Sequence, residues 1–331
     1  HRPHDRVLGE EEGDRPGADP AEAAAGARRW VIDPIDGTGG FVAGTRAWWS
    51  DRRVFDAQVH VCVVAFEFGE PEPEDRRANW SHVATSRQGV PVVPGGLHVA
   101  GCLGDRARLN ANFRDEYYGM IPAVGDHDTG PRLITSGLVD PARSWWGVRP
   151  ITFAKHRYER PRVDLDRLDD DMVRWARRRL VPKVLVANQT RIVEAVCDPG
   201  GDWLPAVLVL GVYPTGAHWD DERHRPAGEV ASAAWEIAAV LTSSVASAWL
   251  WHRGAGTGLS VDSIRLSPVT LGELPWPGGD LHRAVAALRD GDVRGCSAAV
   301  ADAYGIDDAT ALDGWWTALL ERIEMRQPST A

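Results

Sequence analysis

Between Lys183 and Pro214 the chain runs through three apolar, β-branched stretches in quick succession: KVLVANQT, RIVEAVCDP and LPAVLVLGVYP. Bounded by Asn, Asp, Gly and Pro, the first two read as strands around a turn and the third as a fully apolar strand. They are followed by VASAAWEIAAVLTSSVASAWLWHRG (230–254), which reads as one long helix of small residues packed closely on a neighbour. Any fold for this chain must bury those strands and that helix together. The expectation is therefore α+β, mixed strands and helices with a helical C-terminal portion.

The flanking segments extend this pattern. Trp30-Val31-Ile32 reads as a short strand ended by Asp33-Pro34, and 54–69 as a strand in which Val59, Val61 and Val63 alternate with His60, Cys62 and Val64. A short Ala-rich helical turn is expected at 21–28, a helix over 105–124 breaking at Pro122, and strand-like structure over 151–163. Residues 165–180 read as a helix with early aspartates and late arginines, which suits the helix dipole. Residues 217–229 read as a loop, and 281–292 and 309–324 as two further helices. Three regions are expected: 1–44, a mixed α+β stretch over 45–215, and a mainly helical 216–331.

Composition narrows the class. With 331 residues, 44% hydrophobic, 25% charged and a net charge of -10, the chain has a globular profile, enough for one large domain or two ordinary ones. No run approaches the length of a membrane span, so no membrane partner is expected, and the polar opening predicts no signal peptide. Cys62, Cys102, Cys197 and Cys296 lie far apart with no CxxC, so the reducing cytoplasm is the expected compartment. Many of the fifteen tryptophans come in pairs, including Trp48-Trp49, Trp145-Trp146 and Trp315-Trp316; they read first as buried anchors and second as stacking surfaces. Charge is uneven: Arg143 to Arg191 holds thirteen Lys and Arg against six Asp and Glu, whereas Ile192 onward holds nine against nineteen. The middle is thus either a basic patch or a solvated helix face whose arginines pair with Asp164, Asp166, Asp169, Asp170 and Asp171.

The opening strip, HRPHDRVLGEEEG then WVIDPIDGTGGF, has its own chemistry. A bend at Pro34 can turn Asp33 and Asp36 toward one point, and Glu10 or Glu11 can join them from a loop. Three converging carboxylates repel one another unless a hard cation sits between them, and Mg²⁺ is the natural occupant. Gly37 and Thr38 would offer backbone N–H groups and a hydroxyl to a phosphate oxygen. The motifs G-E-E and W-x-x-D-P-x-D-G-T-x-x-F resemble those of the inositol monophosphatase family, histidinol-phosphatases included. That resemblance implies metal ligation by Glu10, Asp33, Asp36 and the Ile35 carbonyl, phosphate binding by Gly37 and Thr38, and catalytic roles for Glu10 and Thr38. It covers about the first 44 residues. The family's apolar strand directly after Gly44 and its late W-D-x-A-A-G signature do not follow; Trp219-Asp220 with Ala227-Gly228 is a distorted echo. DPIDGTGGF is also similar to the DPxxGTGGF loop that binds S-adenosylmethionine in adenine-N6 methyltransferases, although GEEEG and Asp36 fit the phosphatase better.

From about Thr45 onward the chain resembles the C-terminal, target-recognition part of adenine-N6 DNA methyltransferases. The stretches that carry this include RVFDAQVHVCVVAFEFG, LITSGLVDPARSWWG, KHRYERPRVDLDRL and SSVASAWLWHRGAGTGLSVDSIRLSPVTLGELPWP, in that order. The resemblance implies double-stranded DNA as partner. Arg157, Arg160, Arg162, Arg177, Arg178, Arg179, Lys183 and Arg191 are the candidates for phosphate contact. Asn188 and Gln189 have side chains suited to bidentate contact with adenine, or else form a turn between strands. Tyr158 and Trp145 are candidates for packing against sugar or base, or else are core. The N/D-P-P-Y/F loop that grips a flipped adenine is absent; Asp140-Pro141-Ala142 and Asp198-Pro199-Gly200 do not supply it. The chain thus reads as composite, joined near Gly44-Thr45. Mg²⁺ is implied only if the opening strip functions. S-adenosylmethionine is implied only with a methyltransferase core supplied upstream or by a partner.

Overall fold

The computed structural model describes Thr85 and residues 88–325, apart from 113, 219–223 and 261, together with the backbone of five strands that precede them. The chain divides into two units, residues 1–88 with 255–263, and residues 89–254 with 264–331. The helical turn expected at 21–28 lies outside the described residues.

In the first unit, Arg6–Gly9 pairs antiparallel with Gly13–Arg15 and parallel with Arg29–Ile32, in the register Gly9 opposite Ile32. The strand expected at Trp30 is thus present. Thr45–Trp49 pairs antiparallel with Cys62–Phe66, which occupies part of the stretch expected to be extended over 54–69. A strand therefore does follow Gly44 directly, although TRAWW opens on polar residues and carries little aliphatic signal.

The second unit is built on a four-stranded antiparallel sheet in the order Ala195–Asp198, Lys183–Ala187, Val209–Pro214, Ala107–Ala111. Every residue of the first three strands is buried. Their continuous apolar character is what a strand covered on both faces requires. One face packs under the helix Ala227–Leu241. On the other, Leu185, Ala187, Val196 and Val209 join a core with Met120, Leu133, Ile134, Trp145, Phe153 and Leu204. A second sheet borders that core, in the order Trp203–Pro205, Arg132–Ile134, Arg162–Val163, Val124–Gly125. The architecture is mixed strand and helix with a helical C-terminal stretch.

Several elements depart from expectation for local reasons. Ala107–Ala111 is a strand rather than part of a helix; ARLNA alternates apolar and polar residues, and only Arg114–Met120 is α-helical there. The apolar run 204–214 is broken by a turn that holds exposed Leu208 at φ 72°, leaving Trp203–Pro205 and Val209–Pro214 in different sheets. The long helix is two, Ala227–Leu241 and Ser244–Gly254, bent by 66°. Ser243 makes the break: its hydroxyl donates to the Val240 carbonyl (2.7 Å) and accepts from the Ala246 N–H (3.1 Å), capping the second helix. Val293–Ala303 adds a helix between the two expected near the end, His282–Arg289 and Thr310–Glu324. Among the described residues no single helix is long and apolar enough to cross a membrane.

Two features bear on the site. Lys183, wholly buried, pairs with the Asp198 carboxylate across the sheet and donates to the Val181 carbonyl at 3.2 Å. Burial pushes the Lys183 ammonium down from its ordinary range, and Asp198 opposes that shift. Asp198 also accepts from the N–H groups of Asp202 (3.1 Å) and Trp203 (3.0 Å), closing the turn into the second sheet. Gly201 in that turn has φ +72°, and a Cβ there would lie 2.6 Å from the Val181 backbone. The second feature is the hairpin Ile151–Phe153 and His156–Tyr158, closed by Ala154 (φ 48°) and Lys155 (φ 67°). Two left-handed residues make a type I′ turn, which Asn-Gly adopts most readily and which costs other residues about 1–2 kcal/mol each.

Lys183→Met leaves the buried Asp198 without its counter-charge and is expected to lower the unfolding free energy by about 3–5 kcal/mol, read from urea titration. Ala154→Asn with Lys155→Gly is expected to raise it by about 1–2 kcal/mol by relieving the turn. An unchanged urea midpoint in either variant contradicts the corresponding account.

Candidate functional site

The strongest concentration of cationic chemistry among the described residues surrounds Trp146. The Trp145-Trp146 pair follows the short hairpin Val139–Asp140 and Arg143–Ser144, which throws the two indoles to different environments. Trp145 is 1% exposed and its indole N–H donates to the Asp140 carboxylate. Arg143 and Arg149 stand 3.7 and 5.1 Å from its ring centroid, and Arg149 approaches Asp140 at 3.7 Å. Burial raises the Asp140 carboxyl, opposed by the Trp145 hydrogen bond and by Arg149 and Arg143. Trp145 is therefore a core anchor, sealed from any base or sugar.

Trp146 is half-buried, tied by its indole N–H to the Pro161 carbonyl at 2.8 Å. Three guanidinium groups gather about its ring: Arg132 at 4.6 Å, Arg162 at 4.7 Å and Arg160 at 5.3 Å from the centroid. The strands put them there. Arg132 opens Arg132–Ile134 and lies directly opposite Arg162 in register. The Asp126 carboxylate holds the backbone N–H groups of Glu159 and Arg160 at 3.0 and 2.7 Å, fixing the segment that carries Arg160. Arg162 donates to the Gly130 carbonyl at 2.6 Å.

The electrostatics are unbalanced. Among the described residues no carboxylate forms an ion pair with Arg132, Arg160 or Arg162. Burial, then Arg132 and Arg160, push the Arg162 guanidinium down, with Asp128 opposing. Like charges opposite each other across a sheet are destabilising. Groups this close to one ring lie within about 10 Å of each other, where repulsion at an effective dielectric of about 20 is about 1–2 kcal/mol per pair. Cation–π attraction of about 0.5–2 kcal/mol per arginine offsets that without neutralising the charge. An anion would neutralise it, and guanidinium forks match phosphate oxygens in pairs.

The other candidates are spread over separate elements. Contrary to expectation, Lys183 is wholly buried against Asp198 and cannot reach a phosphate. Tyr158 is half-buried opposite Ile151 and packs on the core. Arg157 is exposed and pairs with Glu159 at 3.2 Å. Arg178 is exposed in the last turn of Asp170–Arg179. On and beside that helix, Arg174 pairs with Asp171 and Arg167 with Asp164, so part of the basic stretch is neutralised locally. Asn188 and Gln189 are not an open turn. The Asn188 backbone bonds to Leu208 and Leu266, Gln189 lies in a ladder opposite Arg265, and the Arg191 carbonyl accepts the Trp251 indole N–H. Asn188 Oδ1 is buried without a hydrogen-bond partner.

Two residues of the cluster escape sequence reasoning. Arg132 lies outside the basic stretch, and Trp146 is indistinguishable from Trp145 until the hairpin separates them. Elsewhere in the same unit a cavity of about 410 Å³ is lined by Arg106, Arg225, Glu229, Glu236 and Trp276, with Arg106 stacked 4.8 Å from the Trp276 centroid and Arg225 paired with Glu229.

The residues assigned to metal and phosphate by resemblance, Glu10, Asp33, Ile35, Asp36, Gly37 and Thr38, lie outside the described residues. Among the described residues no group of three or more His, Cys, Asp or Glu could hold a metal ion. No curated protein matches the chain. Residues 1–71, about a fifth of the chain, match the inositol monophosphatase family; the match contains the whole acidic strip and runs past Gly44 through the strands Thr45–Trp49 and Cys62–Phe66.

Proposed function

We propose that residues 1–71 are the metal-binding part of a Mg²⁺-dependent phosphomonoesterase of the inositol monophosphatase type. The family match over those residues is the observation that carries this reading. The strand register supports it: Gly9 lies opposite Ile32 in a parallel pair, and these residues immediately precede Glu10 and Asp33 in the chain. Glu10, Asp33, Asp36 and the Ile35 carbonyl would hold the cation. Gly37 N–H and the Thr38 hydroxyl would hold phosphate, and Thr38 would orient the attacking water. When bound, Mg²⁺ supplies charge to the phosphoryl oxygens and acidifies water. Asp33→Asn with Asp36→Asn is expected to abolish Mg²⁺ binding by calorimetry and to remove Mg²⁺-dependent phosphate release from p-nitrophenyl phosphate. Equal Mg²⁺ affinity in this variant and the parent chain contradicts the assignment.

A second reading, for the unit formed by residues 89–254 and 264–331, rests on the guanidinium cluster at Trp146. It is the DNA-binding, target-recognition portion of an adenine-N6 DNA methyltransferase without its own catalytic loop, acting on double-stranded DNA beside a separate core that brings S-adenosylmethionine. We place the chain in the cytoplasm on the spacing of its cysteines, which are far apart and form no CxxC. Arg160→Ala with Arg162→Ala is expected to weaken duplex binding and to reduce the slope of log affinity against log salt by about two. A parent chain that binds no duplex at low salt removes this reading.

A further inference from the structure

We propose that the Ile151–Tyr158 hairpin is a β-ribbon that enters the major groove of duplex DNA, placing Lys155 and Arg157 at base edges while the Trp146 arginines hold flanking phosphates. This rests on the nucleic-acid reading above. The root of the hairpin is fixed, because Ile151 and Phe153 are buried in the core and the Phe153 ring packs 4.9 Å from Tyr117. Its outer part faces solvent: Thr152, Lys155, His156 and Arg157 are all exposed, and the Arg157–Glu159 pair is a solvent-exposed one of small energy that a phosphate or base can displace. The tip is only two residues wide, Ala154 and Lys155, both left-handed. Nothing in the fold calls for lysine there, since glycine suits that backbone better and the Lys155 ammonium makes no bond within the described residues. The long cation is thus held outward on a narrow, rigid tip.

The dimensions agree with this placement. A two-stranded ribbon fits the major groove, which is about 12 Å wide. Arg160 lies five residue steps after Lys155, a chain length of at most about 18 Å, so tip and cluster fit within about half a helical turn of duplex. The Asp126 carboxylate holds the backbone at Glu159 and Arg160, so the hairpin leaves the sheet at a set angle to the cluster. The deep, narrow major groove of A-form RNA would not admit the ribbon.

The test compares two short duplexes of one sequence, one with cytosine and one with glucosylated 5-hydroxymethylcytosine, which fills the major groove. Binding of the full chain is followed by fluorescence anisotropy at low salt. The parent chain is expected to lose at least about tenfold in affinity on the glucosylated duplex. Ala154→Asn with Lys155→Gly and Arg157→Thr keeps the turn, and is expected to bind both duplexes alike with no loss of thermal stability. Arg160→Ala with Arg162→Ala is expected to weaken both by the same factor and keep the discrimination. If the parent chain binds both duplexes equally while the Arg160 and Arg162 substitutions still weaken it, the hairpin assignment fails and the DNA reading stands. Tighter binding to double-stranded RNA than to DNA also overturns the hairpin assignment. No duplex binding at all overturns both.

Discussion

The buried pair of Lys183 and Asp198 links the core of the second unit to its surface chemistry. A wholly enclosed ammonium is tolerable only beside a counter-charge, so the first residue of the central strand is locked to the last residue of its neighbour. Asp198 then uses its remaining acceptor capacity on the Asp202 and Trp203 N–H groups. The turn they close launches Trp203–Pro205, which runs parallel to Arg132–Ile134, and the Asp202 carbonyl accepts from the Arg132 N–H at 3.2 Å. Arg132 lies opposite Arg162. One buried ion pair is thus connected, through a single turn and two strand pairings, to the guanidinium cluster at Trp146.

That cluster illustrates how a protein with a net charge of -10 can still present a cationic site. Much of the basic stretch is locally quenched: Arg167, Arg174 and Arg157 each face a carboxylate, and exposed pairs of this kind contribute little to stability. The arginines around Trp146 are different because the sheet, not sequence proximity, brings them together. Their mutual repulsion is offset by the indole face and, for Arg162, by the Gly130 carbonyl, which leave the positive charge intact. The result is a small, shaped cationic surface beside a hairpin whose exposed tip is also basic.

The strands at 183–187 and 195–198, the apolar strand ending at Pro214 and the helix over most of 165–180 follow from hydrophobic content and dipole-matched charge, which are local properties. Structure and local pattern part where a single side chain or a strand pairing decides the outcome. Ser243 splits one expected helix into two by capping the second. Leu208 turns the chain so that one apolar run serves two sheets. Ala107–Ala111 becomes a strand because Val209–Pro214 offers it a ladder. For the site, Arg160 and Arg162 were legible as cations. For Lys183 the sequence shows the charge and not the enclosure that hides it.

The amino-acid order by itself determined the mixed strand-and-helix class, the helical ending and the acidic opening strip, because periodicity, apolar content and short motifs act over a few neighbouring residues. Only the tertiary structure decided which of two adjacent tryptophans is core and which is ringed by arginines. It also decided that Arg132 joins Arg162 across some thirty residues of chain, and that one lysine is buried while another stands on a hairpin tip. Those outcomes depend on strand register and enclosure, and both are set by contacts between segments that the linear order leaves far apart.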